Sequence, residues 1–172
     1  MEKNRIIGYA IVFLVVLLVV VGYISGRPGS KKNMTKEQTS PTRSEVPSGI
    51  VVPDQNATNT PKDIAVPKVS IPAAPGVTSL LRVFDIKAEK GVFSPSTVTA
   101  YVGDVIHVNF TAVDKGYDIT FPDYGMKQVA GKGETKVLEF QAGSSGKFTY
   151  YCNSCGGLDS QTKGYIIIVP KT

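Results

Sequence analysis

Asp104-Val-Ile-His-Val-Asn-Phe-Thr-Ala112 alternates residue by residue. Val105, His107, Asn109 and Thr111 fall on one face of a strand, and Ile106, Val108, Phe110 and Ala112 on the other. A period of two sustained in this way is the mark of a half-buried β-strand. Working outward, Gly103-Asp104 supplies a turn on one side, and Gly131-Lys-Gly133 and Ala142-Gly-Ser-Ser-Gly146 supply turns further on. Between such breaks the chain from Leu80 onward is rich in Val, Ile, Tyr, Phe and Thr. Strands are predicted over 80–88, 97–102, 104–113, 117–121, 135–141, 146–152 and 163–169. No sustained 3.6-residue period appears, so residues 80–172 read as one all-β sandwich domain. Ile166-Ile167-Ile168 requires a strand covered on both faces, or an edge shielded by neighbouring segments.

The rest of the 172-residue chain has a different texture. Ile6 to Ser25 reads IIGYAIVFLVVLLVVVGYIS, without a charge and with Tyr9 and Tyr23 near its two ends. Twenty residues at about 1.5 Å each span the roughly 30 Å hydrocarbon core of a bilayer. The run is longer than a signal-peptide core and lacks a good small-x-small cleavage site, so an uncleaved transmembrane anchor is expected over 6–25, with 1–5 as a cytoplasmic N-terminus. Lys3 and Arg5 precede the span, and Arg27, Lys31, Lys32 and Lys36 come after it. The basic residues alone favour the opposite orientation. An inside N-terminus is still expected, because short N-terminal anchors commonly export the polypeptide on their C-terminal side.

Residues 26–79 hold eight of the eleven prolines and no aromatic residue. Such a segment offers little apolar surface to offset the entropy of ordering, so a disordered linker is expected there, with an end-to-end reach of about 40 Å. Asn33-Met-Thr and Asn56-Ala-Thr match the glycosylation acceptor pattern. The net charge of +5 and pI near 9.1 belong mainly to the anchor flanks and linker. Residues 80–172 carry ten Lys/Arg against nine Asp/Glu. A nucleic-acid partner is therefore not expected.

Phe93-Ser-Pro-Ser-Thr-Val-Thr-Ala-Tyr-Val-Gly-Asp-Val-Ile-His-Val-Asn-Phe110 resembles the opening of a cupredoxin domain. Gly146-Lys-Phe-Thr-Tyr-Tyr-Cys-Asn-Ser-Cys-Gly-Gly157, followed by Lys163-Gly-Tyr-Ile-Ile-Ile-Val169, resembles the C-terminal metal loop of the same superfamily. The pattern is most similar to the copper A domains of cytochrome c oxidase subunit II and nitrous-oxide reductase. The resemblance implies a Greek-key β-sandwich, copper as cofactor, and electron transfer to a redox or respiratory partner at a membrane surface.

The ligand set departs from that pattern. Copper A needs two thiolates, two imidazoles and a thioether, and a blue copper site needs two imidazoles and a thiolate, yet His107 is the sole histidine. Cys152 and Cys155 are separated by two residues rather than the family's three. Lys115, Asp159 and Thr162 stand where the resemblance would put the two histidines and the methionine. His107 itself is expected to be a solvent-facing strand residue on the more polar face.

Cys152-Asn-Ser-Cys155 is thus the candidate site; copper binding or electron transfer through this loop is the expected function, and three readings of the pair stay open. The pair could ligate Cu(I), with Met126 as a weak thioether donor. It could cycle between dithiol and disulfide. It could also be a plain structural disulfide in a degenerate interaction domain without metal. No paired carboxylates or phosphate loop appear, and a Ser-His-Asp triad would require His107. No catalytic residue is assigned, and at most a redox or electron-transfer component is expected. Tyr150 and Tyr151, beside Cys152, are expected to split between core and surface.

Overall fold

The structure is a computed structural model that describes residues 42–171. Eleven strands run in chain order: β1 (Arg43–Ser44), β2 (Val69–Pro72), β3 (Leu80–Glu89), β4 (Val92–Ser94), β5 (Thr97–Tyr101), β6 (Val105–Ala112), β7 (Tyr117–Phe121), β8 (Met126–Ala130), β9 (Thr135–Gln141), β10 (Gly146–Tyr151) and β11 (Lys163–Val169). One sheet has the order β5-β11-β10-β7-β8, with β1 added to β10. The other has the order β2-β3-β6-β9, with β4 added to β3. The pairs β3·β6 and β5·β11 are parallel and the remaining strand pairs antiparallel. Parallel neighbours need a crossover, and here the chain supplies it by passing from one sheet to the other at β5 and back at β6.

The alternation read in β6 is realised. Ile106, Val108, Phe110 and Ala112 are fully buried, while Val105, His107, Asn109 and Thr111 are half-buried on the outer face. Facing them from the other sheet are Ile119, Phe121, Tyr150, Ile166 and Ile168, all buried in one cluster. Phe121 stacks on Tyr150 at 5.0 Å between ring centroids, and Phe93 closes on Tyr150 at 5.3 Å. Apolar burial at roughly 25 cal/mol per Å² is what holds two such sheets face to face. The triple isoleucine is accounted for by position: β11 lies inside its sheet, between β5 and β10, and Ile167 is only 5% exposed.

The expectation of disorder up to residue 79 is corrected by the structure. The Thr42 carbonyl accepts the Thr149 N–H at 2.7 Å, and β1 extends this pairing along β10. Val52 and Ala65 are buried, the Thr99 hydroxyl donates to the Val51 carbonyl at 3.2 Å, and Ile64 bridges Thr97. Thr99 is the register partner of Ile167, so the 51–52 segment passes over the outer side of that sheet. β2 then pairs with β3. Composition underestimates this segment because its order is borrowed: strand edges of a formed sandwich offer unpaired N–H and C=O groups, and an extended, proline-bearing chain can cover them. Residues 26–41 of the expected linker, and the anchor expected over 6–25, lie outside the described residues. Among the described residues no helix is long and apolar enough to cross a membrane.

β4 and β8 were not anticipated either. β4 alternates but over only three residues, too short a run to read, and β8 exposes Lys127, Gln128 and Val129 in succession and so shows no alternation.

Candidate functional site

β10 carries Tyr150 into the core and ends at Tyr151, as expected for that pair. The next residue, Cys152, is fully buried and donates its N–H to the Thr162 carbonyl at 2.9 Å, which fastens the base of the loop to β11. A single 3-10 turn over Asn153–Cys155 comes next, and Gly156 and Gly157 reverse the chain with φ of 112° and 71°. Two successive left-handed residues are a conformation glycine adopts without a Cβ penalty. A second 3-10 turn over Gly157–Asp159 leads back to β11.

Cys152 and Cys155 are joined as a disulfide, with Cα atoms 5.2 Å apart. That separation is within the ordinary range for such a bridge. The two sulfurs are not equivalent, since Cys155 is partly exposed. Met126 opens β8 opposite Phe121 and is partly buried against the core. His107 is not part of the loop. It sits mid-strand on the outer face of the opposite sheet, with Nδ1 2.8 Å from Glu139 Oε2 and Nε2 3.3 Å from Asn109 Oδ1. Asn109 Nδ2 donates on to Asp85 Oδ1 at 3.0 Å, and Lys68 pairs with that carboxylate. The ring is therefore half-buried and hydrogen-bonded across the strands, rather than simply facing solvent as expected.

The residue that organises the loop was not singled out from sequence. Asp118, on β7, is 2% exposed. Its Oδ1 accepts the Ser154 N–H at 2.7 Å, and its Oδ2 accepts the Asn153 N–H at 2.9 Å and the Thr120 hydroxyl at 3.2 Å. Lys127 Nζ lies 3.8 Å from Oδ2. Burial pushes the Asp118 carboxyl up, but the hydrogen bonds from Ser154, Asn153 and Thr120 outweigh it and hold the group below the usual carboxylate range. Oδ1 is also 3.6 Å from Cys152 Sγ, and the Ser154 hydroxyl oxygen is 3.4 Å from the same sulfur. The legible signal was a charge between Tyr117 and Ile119 in a strand otherwise fit for the core.

The positions that stand for the missing ligands carry other duties. Lys115 is exposed, its ammonium 5.2 Å from the Tyr117 ring centroid. Asp159 is exposed in the second 3-10 turn. Thr162 is buried and donates its hydroxyl to the Gly91 carbonyl. Among the described residues no three His, Cys, Asp or Glu side chains converge as a metal-binding group. Two sulfurs bonded to each other, a carboxylate engaged by two backbone amides and a hydroxyl, and an imidazole on the opposite sheet do not fit a blue copper or copper A centre.

No curated protein matches the chain in sequence. Solved structures similar in fold include the metal-binding domain of the Cu(I)-exporting P-type ATPase of Streptococcus pneumoniae D39, with 20% identity over 58% of this chain and 92% of that one, at a TM-score of 0.46. Auracyanin A, a blue copper protein from Chloroflexus aurantiacus, is 14% identical over 51% of this chain and 98% of its own, at a TM-score of 0.44. A chain of a heme-copper terminal oxidase dimer is 12% identical over 98% of this chain and 100% of its own, at a TM-score of 0.46. Residues 72–168, more than half of the chain, match the family model of the cupredoxin-like domain, and the chain belongs to that family.

Proposed function

We infer that the chain is a single-pass membrane protein displaying its cupredoxin-like sandwich outside the cytoplasm, where the Cys152–Cys155 pair works as a disulfide staple in an interaction domain without a resident metal. One observation carries this reading. The loop turns the amides of Asn153 and Ser154 inward onto the Asp118 carboxylate and bonds its two sulfurs to each other, so both sulfurs and the nearest carboxylate already have partners. A thiolate at Cys152 would also lie beside an ionised carboxylate, which disfavours thiol activation there. An extracytoplasmic location suits a stable disulfide.

Copper handling or electron transfer to a redox or respiratory partner is the second reading, along with the finer likeness to copper A domains. It is favoured by family membership and by the concentration of soft donors in one loop. It requires prior reduction of the pair, after which Cys152 and Cys155 supply two sulfur ligands and Met126 is a candidate thioether.

The full chain in detergent micelles, assayed for thiols and titrated with Cu(I) and Cu(II) before and after reduction, separates the two. The staple reading expects no reactive thiol and no stoichiometric copper in the unreduced protein. One equivalent of copper bound before reduction, or two thiols free at the outset, would overturn it. Stoichiometric Cu(I) binding only after reduction, abolished in Cys152→Ser, would establish the second reading as a reductively gated function.

A further inference from the structure

The disulfide is polarised in the direction of its attack. Exchange with an external thiol is a displacement in which the nucleophile approaches along the S–S axis, behind the sulfur it attacks, while the other sulfur leaves. Cys152 is closed to such an approach: it is fully buried, with the Asp118 carboxylate 3.6 Å from its sulfur. Cys155, at the end of an exposed turn, is partly exposed even though it packs against the edge of the core, so of the two it is the accessible cysteine.

We propose that Cys155 Sγ is the entry point for an external thiol, whether a small monothiol or a partner protein's dithiol, with Cys152 as the leaving sulfur and Asp118 as a positioning residue that restrains the step. The proposal rests on the pair being a disulfide in the resting protein. In the first step a thiolate RS⁻ bonds to Cys155 Sγ, the Cys152–Cys155 bond breaks, and its electron pair goes to Cys152 Sγ, which then takes a proton from water. The product is the mixed disulfide R–S–S–Cys155 with a Cys152 thiol. A second thiol completes reduction by attacking the R sulfur, leaving RSSR and the Cys155 thiol, so the external thiol is the reductant throughout.

The leaving sulfur gains its negative charge next to Asp118, and like charges at this separation disfavour the ionised product. Ser154 acts in the opposite sense, since its hydroxyl, 3.4 Å away, can donate to that sulfur. Lys127, 3.8 Å from the far carboxylate oxygen, offsets part of the charge from an exposed position. The first cysteine of the pair is thus the sheltered one and the second the reactive one.

The test challenges the native full chain in micelles with glutathione, quenches in acid, alkylates free thiols and locates both marks by fragment-ion mass spectrometry. Glutathione on Cys155 with the alkyl group on Cys152 is expected in at least about tenfold excess over the reverse. Adduct on Cys152, an even split, or no adduct in the native protein would overturn the proposal. The last of these leaves the staple reading standing, whereas free thiols before the challenge overturn that reading itself. Asp118→Asn is expected to accelerate adduct formation about tenfold. Should that variant not fold, Ser154→Ala, which keeps the backbone donor to Asp118, is expected to slow it several-fold. An unchanged rate in the folded variant removes Asp118 or Ser154, respectively, from the mechanism.

Discussion

Asp118 Oδ1 accepts the backbone N–H of Ser154 at 2.7 Å, so the loop after β10 is fastened to β7 by a buried carboxylate as well as by its own disulfide. Hydrogen bonds to a charged acceptor contribute roughly 1.5–3 kcal/mol each, and water can recover part of the loss at an exposed turn. Asp118→Ala is expected to cost about 2–3 kcal/mol in urea unfolding. Amide exchange at Asn153 and Ser154 should rise more than exchange in β11. Unchanged protection at those two amides would contradict the assignment.

The disulfide closes a loop of only four residues from Cys152 to Cys155. Chain-entropy arithmetic for so short a loop gives about 2 kcal/mol. Cys152→Ser/Cys155→Ser is therefore expected to fold, with a lower urea midpoint and an unchanged slope. Complete loss of folding would show that the bridge contributes far more than loop closure.

Acid should weaken the fold through a definable set of carboxylates. Burial pushes Asp104 up, but the Leu80 N–H, the Arg82 guanidinium and the Tyr101 N–H hold it below the usual range, and Asp118 behaves likewise. Burial also raises Asp85, and Lys68 and Asn109 more than reverse it. A depressed folded-state value means the unfolded chain binds more protons at low pH. Stability from these groups is then complete above about pH 5 and is lost as pH falls below about 4, toward the folded-state values. Urea midpoints at pH 7 and pH 3 check this, and a midpoint that stays level or rises on acidification would contradict it.

Arg82 and Asp104 form an ion pair at 2.8 Å with both side chains at most 2% exposed. Arg82 also donates to the Pro53 carbonyl at 3.1 Å, and so ties the segment before β2 to the sandwich. Removing Arg82 leaves the buried Asp104 with only Lys171, 3.5 Å away, as a cationic partner, so Arg82→Ala is expected to cost about 3 kcal/mol. Proteolysis within residues 45–65 should become faster at the same time. Cleavage no faster than in the parent would mean the segment is held by other contacts.

Gly164 leaves no room for a methyl group. A Cβ there would collide with the Ser96 carbonyl oxygen and with the Tyr150 hydroxyl, which itself donates to that carbonyl at 3.1 Å. Backbone cannot give way as a flexible side-chain tip can, so Gly164→Ala is expected to cost more than about 3 kcal/mol. A melting temperature within a few degrees of the parent would refute it.

The seven strands read from sequence all form, and in β6 the core face is the one the alternation assigns. Ile106, Val108, Phe110 and Ala112 had to share a face in any extended conformation, and a face that apolar has to be covered. The elements that escaped the sequence share one physical character. β8 and the segment over residues 42–79 carry no pattern of their own, because each is stabilised by an edge or surface that exists only after the sandwich closes. The cysteine spacing allowed a ligand pair, a redox pair or a staple, and the choice depends on where the neighbouring charge falls. Asp118 lies more than thirty residues before the loop, and strand pairing alone brings it under Ser154.

By itself, then, the sequence determined a β-sandwich, whose motifs resemble the cupredoxin type, and the shortage of imidazole that keeps it from building a blue copper or copper A centre. Local periodicity and residue counts are properties of the chain, whatever its folded shape. Tertiary structure decided that the proline-rich segment docks from residue 42 onward, that a carboxylate occupies the base of the loop, and that Cys152 is fully buried while Cys155 is partly exposed. Each of these depends on which groups folding brings together and on how much water remains between them.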